Sequence, residues 1–310
     1  GYVSADYSQH SAAHGFGPVI AGHHADQVET YLYDVAQAAP NPDDQVSVWF
    51  KSVAHVWRDA RQLSDNSLAA QIRADQIDIL VDLSGYSAGG RVLAFARKPA
   101  PVQIGGLGYA TGTGIDAMDY LIADDVAIPP QHEPWYHEKL LRLPIFMGYE
   151  KAPPWPPVGP APKEKNGYVT YGYLGRAVKL SPQTLAAWAA ILARVPTARM
   201  LFKSAELADQ TLVGQIRGSL TALGVEPDRL EFRGGTSRPD HLATYSDLDI
   251  SLDPFPHGGG VTAVESFLCG VPLVTLLGDY LCGRVGASIM TLLGFGGAVD
   301  AVNSTFTVSP

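Results

Sequence analysis

The stretch from Asp253 to Thr275 reads D-P-F-P-H-G-G-G-V-T-A-V-E-S-F-L-C-G-V-P-L-V-T. An apolar run, Ile250-Ser251-Leu252, ends at its first acid, and a Pro- and Gly-rich turn follows. Thr262 to Cys269 then has an amphipathic pattern that Gly270 and Pro272 stop, and Leu273-Val274-Thr275 opens a new apolar run. Strand, glycine turn, helix, strand is the order of a βαβ unit. Glycines at 258, 259 and 260 leave backbone N–H groups uncovered at the positive end of the helix, which makes a seat for a phosphate. Gly259, Gly260, Val261 and Thr262 are the candidate contacts, with the Thr262 hydroxyl in the first turn. Glu265 stands further along, beyond the phosphates but placed for a sugar hydroxyl beside them. A capped core helix with Glu265 completing a capping box explains the same residues, and the local pattern leaves both readings open. No Gly-Lys-Ser/Thr follows, so this is not a Walker motif.

Outward from this unit the alternation continues. Tyr168–Tyr173, Met200–Phe202, Leu230–Phe232 and Asp249–Leu252 read as strands. Between and after them, helices are expected from Ser181-Pro182 to about Val195, over Leu207–Leu223, over Pro239–Tyr245 and over Cys282–Leu293. In the first half, Gly1-Tyr2-Val3, Tyr31–Tyr33, Ile77–Asp82, Val102–Ile104, Tyr120–Ala123 and Leu140–Leu143 read as buried strands, and Ser67–Ala74 as a helix with Leu68, Ile72 and Gln71 as the candidates for its inner face. Strands that are apolar throughout and separated by helices imply parallel sheets covered on both faces. Lys151 to Asn166 breaks the pattern. Its six prolines in sixteen residues exclude helix and inner strand and predict a stiff, extended connector. The expected fold is α/β: a Rossmann-like domain over 1–150, a Pro-rich linker over 151–167 and a second Rossmann-like domain over 168–310. The ligand cleft is expected where the carboxyl ends of the two sets of strands face each other.

The totals agree with two ordinary domains. The chain has 310 residues, 46% hydrophobic and 17% charged, which is the composition of a soluble globular protein. A net charge of −9 argues against nucleic acid as the partner. No apolar run approaches the ~20 residues of a membrane span. Cys269 and Cys282 lie in apolar surroundings without metal-ligand spacing, so a reduced, cytoplasmic protein is expected. The chain starts mid-strand without a methionine and ends without a closing helix, and both ends are expected to be cuts.

Other residues lie where open α/β sheets carry chemistry, just past strand carboxyl ends. His10 and His14 follow the first strand; their spacing suits one helix face, as catalytic groups or as plain surface or capping histidines. Lys179, with Arg176 in the same loop, follows the second domain's first strand and is a candidate phosphate clamp, or a solvated pair. Arg238 and His241 are one helical turn apart and share a face, able to meet ribose and stack on a base, or to cap. His257 abuts the glycine run, and the remaining histidines read as surface or loop positions.

Taken in order, V-S-A-D-Y-S-Q-H-S-A-A-H, D-I-L-V-D-L-S-G-Y-S, R-K-P-A-P-V-Q, L-G-Y-A-T-G-T-G with A-M-D-Y-L-I-A-D, K-L-S-P-Q-T-L-A-A-W-A-A-I-L-A-R-V-P and G-G-G-V-T-A-V-E-S-F-L-C-G-V-P-L-V-T resemble the catalytic region of the O-GlcNAc transferase and SPINDLY family, in a bacterial version. The resemblance runs from Tyr2 to about Gly294. It implies two facing Rossmann-like domains of the GT-B type. It also implies an inverting, metal-independent glycosyltransferase without a cofactor, moving N-acetylglucosamine from UDP-GlcNAc to Ser or Thr hydroxyls of an acceptor protein or peptide. A fucosyl- or glucosyltransferase using GDP-fucose or UDP-glucose, or a non-catalytic nucleotide-sugar-binding relative, stands as the alternative. Family members usually carry tetratricopeptide repeats before this region, and a start at Gly1 is expected to leave them out.

By the same resemblance, His10 matches the active-site histidine near the sugar and the acceptor hydroxyl, and Lys179 the lysine on the diphosphate. Arg176 falls where a glutamine often contacts that group, and Arg238 at a lysine position near the ribose. His241 matches the histidine stacked on the base, Glu265 the acid on the ribose hydroxyls, and Thr262 one of two adjacent threonines at the phosphates. Three departures stand out: Val261 replaces the other threonine, Ser11 follows His10 in place of proline, and Thr244 stands where an arginine often approaches the base. His10 is then the leading candidate for base or acceptor orienter, with Asp82 as a second.

Overall fold

The first apolar runs form β1 (Tyr2–Ser4), β2 (Tyr31–Asp34), β3 (Val56–Asp59), β4 (Ile79–Asp82), β5 (Val102–Gly105), β6 (Tyr120–Ala123) and β7 (Lys139–Arg142). In this computed structural model they lie in one parallel sheet ordered β3-β2-β1-β4-β5-β6-β7. The structure describes residues 1–38, 41, 43–109, 111–149 and 155–296, and the backbone of 300–301. Positions 151–154 of the Pro-rich stretch, and 297–299 and 302–310 of the second expected domain, lie outside them.

Four helices join these strands: α1 (Ser11–Ala21), α2 (Gln45–Val53), α3 (Asp65–Ala74) and α4 (Val92–Phe95). Leu68 and Ile72 of α3 and Phe95 of α4 pack on Val3, Tyr33 and Leu80. Side chains alternate across a strand, so Trp57, whose backbone pairs with Leu32, faces the opposite side. There Tyr7 touches Phe16 of α1, Phe50 of α2 and Trp57 with ring centroids 5.0–5.8 Å apart. Both faces are therefore covered, as a parallel sheet requires. The sequence reading had no strand at β3 and no helix at α2. β3 is an edge strand of mixed polarity, V-W-R-D, and only half buried, so it shows no apolar run.

The chain divides into two compact units, Gly1–Glu150 and Lys151–Pro310. The second holds β8 (Thr170–Tyr173), β9 (Arg199–Lys203), β10 (Leu230–Arg233), β11 (Ile250–Leu252) and β12 (Leu273–Val274), parallel and ordered β10-β9-β8-β11-β12. Its helices are α5 (Pro162–Asn166), α6 (Pro182–Arg194), α7 (Gln210–Ala222), α8 (Arg238–Ala243), α9 (Val261–Leu268) and α10 (Val285–Leu292). Met200 and Phe202 meet Leu185 and Trp188 of α6 and Val213 and Ile216 of α7 on one face. Leu201 meets Leu242, Tyr245 and Leu248 on the other. Among the described residues no helix is long and apolar enough to cross a membrane.

Two expectations need correction. The end of the Pro-rich stretch is the one-turn helix α5, not extended chain. Pro162 occupies its first turn, where a missing N–H costs nothing, and the proline-free Lys163–Asn166 can wind until Gly167 stops it at φ +76°. The helix expected over Leu207–Leu223 is broken as well. A 3₁₀ turn, Ala205–Ala208, ends at Asp209, whose carboxylate accepts the Thr211 N–H at 2.8 Å and starts α7 afresh.

Candidate functional site

In each sheet the strand order reverses once, between β1 and β4 and between β8 and β11. Crevices at the carboxyl ends of such strands are where open α/β sheets hold ligands. In the second unit the loops after β8 and β11 meet there. Ser181 starts α6 by accepting the Thr184 N–H at 3.0 Å, and the hydroxyls of Ser181 and Thr184 both donate to Phe255 O, at 2.6 and 2.7 Å. Lys179 Nζ reaches across to donate to Gly258 O at 2.7 Å. The D-P-F-P-H-G-G-G turn is thus tied to the loop that carries the lysine.

Asp253 organises the turn from within. Its carboxylate accepts the Gly259 N–H at 2.6 Å and the Thr275 hydroxyl at 2.8 Å. Burial pushes its pKa up to about 6, against the pull of those two bonds and of the Lys179 charge. Burial also lowers the Lys179 pKa, with Asp253 opposing and Arg176 adding to the shift. Gly259 cannot carry a side chain: a Cβ there would lie 2.5 Å from Thr262 Oγ1 and 2.9 Å from Asp253 Oδ1. α9 begins at Gly260 with no side-chain cap. Among the described residues the N–H groups of Gly260, Val261 and Thr262 have no hydrogen-bond partner. Three amides at a helix start beside a half-buried lysine form an anion-binding arrangement.

Glu265 sits one turn further along α9, 2% exposed. It is no part of a capping box, which corrects that alternative. Its carboxylate faces α8 instead, 2.7 Å from Arg238 Nη1 and 3.6 Å from His241 Nε2, with the Tyr245 hydroxyl at 3.5 Å. Burial raises this carboxyl's pKa, but the His241 hydrogen bond and the Arg238 charge outweigh it and hold the pKa below the usual range. The shared face of Arg238 and His241 is therefore directed at Glu265. Arg176 is placed differently. Its exposed guanidinium donates to Glu206 Oε1 at 3.2 Å, so part of its charge is already neutralised.

In the first unit His10 is the N-cap of α1. Its Nδ1 accepts the Ala12 N–H at 3.3 Å, and Asp6 Oδ1 lies 3.5 Å from the same nitrogen. His14 rests against Tyr149 with ring centroids 6.0 Å apart. Asp82, at the end of β4, accepts the Ser84 and Gly85 N–H groups at 3.0 Å each through Oδ1, while its enclosed Oδ2 has no partner. Burial raises its pKa against those two bonds. Among the other histidines, His23 pairs with the Tyr2 hydroxyl at 2.6 Å and His55 accepts the Thr30 N–H at 3.0 Å, both structural contacts. The sequence reading missed Asp253 as a site residue. An acid that ends an apolar strand just before a glycine turn was the available signal.

Two parallel sheets, each with its strand reversal, and an anion seat at the second define the class: a GT-B-type α/β glycosyltransferase fold. The chain belongs to glycosyl transferase family 41, whose model matches residues 1–151 and 164–307. It is 34% identical over 96% of its length to a protein of Oryza sativa subsp. japonica named "Probable UDP-N-acetylglucosamine--peptide N-acetylglucosaminyltransferase SPINDLY". It superposes with a TM-score of 0.91 and 35% identity on a mutant O-GlcNAc transferase of Thermobaculum terrenum, covering 96% of this chain and 56% of that one. The lipopolysaccharide outer core galactosyltransferase WaaB shares the fold at 12% identity and a TM-score of 0.59, covering 89% of this chain and 79% of its own. The chain spans about a third of the length of the curated relatives it matches, 32% of the rice protein.

Proposed function

We propose that this chain is the catalytic region of an inverting glycosyltransferase that moves N-acetylglucosamine from UDP-GlcNAc to Ser or Thr hydroxyls of proteins, with neither metal nor cofactor. The observation that carries the reading is the tie between Lys179 and Gly258 beside the open amides of Gly260 to Thr262. Cleaving a sugar–phosphate bond builds negative charge on the departing diphosphate. Fixed donors aimed at that charge stabilise it more than they stabilise the intact donor. Lys179 and the α9 amides supply them from the protein itself, the work a divalent cation does elsewhere. Glu265, already ionised and held by Arg238 and His241, is an acceptor for ribose hydroxyls, and His241 offers a ring to the base.

The acceptor hydroxyl must lose its proton as it attacks the anomeric carbon from the opposite face. For His10 to take that proton at Nε2, its Nδ1 must carry the other one. Nδ1–H then turns toward Asp6 and gives up the Ala12 N–H. With Nδ1 acting as the helix cap, a neutral ring carries its proton on Nε2 and serves as an orienting donor instead. Names of relatives support a UDP-GlcNAc donor.

The test is calorimetric titration of UDP, UDP-GlcNAc and GDP-fucose into the wild type and Lys179→Ala. Tight UDP and UDP-GlcNAc binding that weakens in the variant is expected, with transfer to a Ser/Thr peptide lost and the circular dichroism unchanged. Preference for GDP-fucose moves the assignment to a fucosyltransferase. Near-normal transfer by Lys179→Ala removes the clamp.

A further inference from the structure

Lys203 closes β9 at the carboxyl edge of the second sheet. Alternation along the strand places its side chain on the face of Leu201, which packs against Leu242 of α8 and Tyr245. It is 3% exposed, and among the described residues its ammonium makes no hydrogen bond and no ion pair. Burial, with the Arg233 charge, lowers its pKa against the pull of Asp240 and Asp247. Those carboxylates are engaged elsewhere: Asp240 Oδ2 accepts the Ser237 hydroxyl at 2.7 Å and Asp247 Oδ2 accepts Arg233 Nη1 at 2.5 Å. The nearby Thr244 hydroxyl is also spent, on Asp240 O at 2.8 Å. The stem of Lys203 is covered while its ammonium reaches the surface with its donors unused, so it is available to a ligand acceptor at this edge of the sheet.

We propose that Lys203 is a specificity residue that donates a hydrogen bond to the keto oxygen on C4 of uracil or C6 of guanine. The proposal rests on the nucleotide-sugar reading above. Its geometric basis is the strand order. The anion seat lies at the reversal between β8 and β11, and β9 is the next strand outward from β8. α8, with Arg238 and His241, covers the same face of the sheet as Lys203. A nucleotide with its phosphates at the reversal and its ribose at Glu265 therefore extends its base toward Lys203. An ammonium only donates. Uracil and guanine present a keto acceptor at the position where cytosine and adenine present an amino donor. Lys203 therefore selects keto bases and disfavours amino bases.

Titrating UDP, GDP, CDP and ADP into the wild type, Lys203→Met and Lys203→Gln tests this. The wild type is expected to prefer a keto nucleotide, and which one it prefers identifies the base. In Lys203→Met that nucleotide loses roughly ten- to hundredfold in affinity, the worth of one charged hydrogen bond, while CDP and ADP change by less than about twofold. Lys203→Gln, which can donate or accept, narrows the gap between keto and amino bases. Unchanged selectivity in both variants, or an equal loss for all four nucleotides, overturns the proposal and leaves the nucleotide-sugar reading standing. No binding of any nucleotide by the wild type overturns both. If Lys203→Met fails to fold, Lys203→Gln carries the comparison. The wild type can also be titrated with a base analogue lacking the keto oxygen, and affinity equal to that of the parent nucleotide refutes the contact.

Discussion

Asp253 is a carboxyl enclosed among glycines, with Gly258, Gly259 and Gly286 each so close that a Cβ would come within 2.9 Å of it. Its two donors shape the glycine turn, yet burial holds its pKa at about 6 instead of the ordinary 3.8. The sign follows from linkage. A group whose folded pKa is raised contributes stability that is fully present below its unfolded value and is lost as pH rises through the folded one. A shift of that size corresponds to ~3 kcal/mol. Urea unfolding of the wild type and Asp253→Asn should therefore show the wild type losing ground to the variant as pH rises from about 4 to about 7. A difference that stays flat across that window would mean that folding does not raise the Asp253 pKa. Glu265 illustrates the opposite balance on the neighbouring helix. It is as buried, but its two basic partners keep it charged and ready to accept.

At the scale of elements, the turn between β11 and α9 delivers the chain into the helix without a cap. No side chain closes α9, so the amides at its start stay open, and Asp253 takes only the N–H of Gly259 just before them. Gly259→Ala forces its Cβ against Thr262 Oγ1 and Asp253 Oδ1, so the turn must shift. The expected outcome is a roughly tenfold or greater loss of UDP affinity, the worth of a single charge-assisted contact, with the secondary structure by circular dichroism unchanged. Unaltered affinity would show that the turn's conformation is not what binds. The contrast with α6 is informative: Ser181 there caps the helix and also holds Phe255 O, so the two switch-point loops are fastened through side chains on one and the backbone on the other.

For the whole molecule, the candidate groups fall into two units, each with its own sheet and core. Those for phosphate, ribose and base are all in Lys151–Pro310, and His10 and Asp82 are in Gly1–Glu150. His10→Asn keeps a cap for α1 but removes the imidazole. It should leave the UDP dissociation constant within about twofold and lower kcat roughly a hundredfold, the usual worth of a general acid–base group. A large loss of UDP affinity would show that His10 serves donor binding instead. The alternation of apolar runs and glycine turns determined most strands, the α/β class, the glycine turn before α9 and the place of the candidate lysine, because these depend on local periodicity and on glycine's special backbone. The edge strand β3, the helix α5 behind its proline and the break at Asp209 escaped that reading, since each depends on a local partner or cap that composition hides. Tertiary structure alone decided that Glu265 pairs with Arg238 and His241 instead of capping α9, that Arg176 is turned to Glu206, that Asp253 is buried inside the turn and that the stem of Lys203 is covered while its ammonium has no partner among the described residues. Charge pairing and burial are set by which strands become neighbours, and residues far apart in sequence meet only when the sheet orders them.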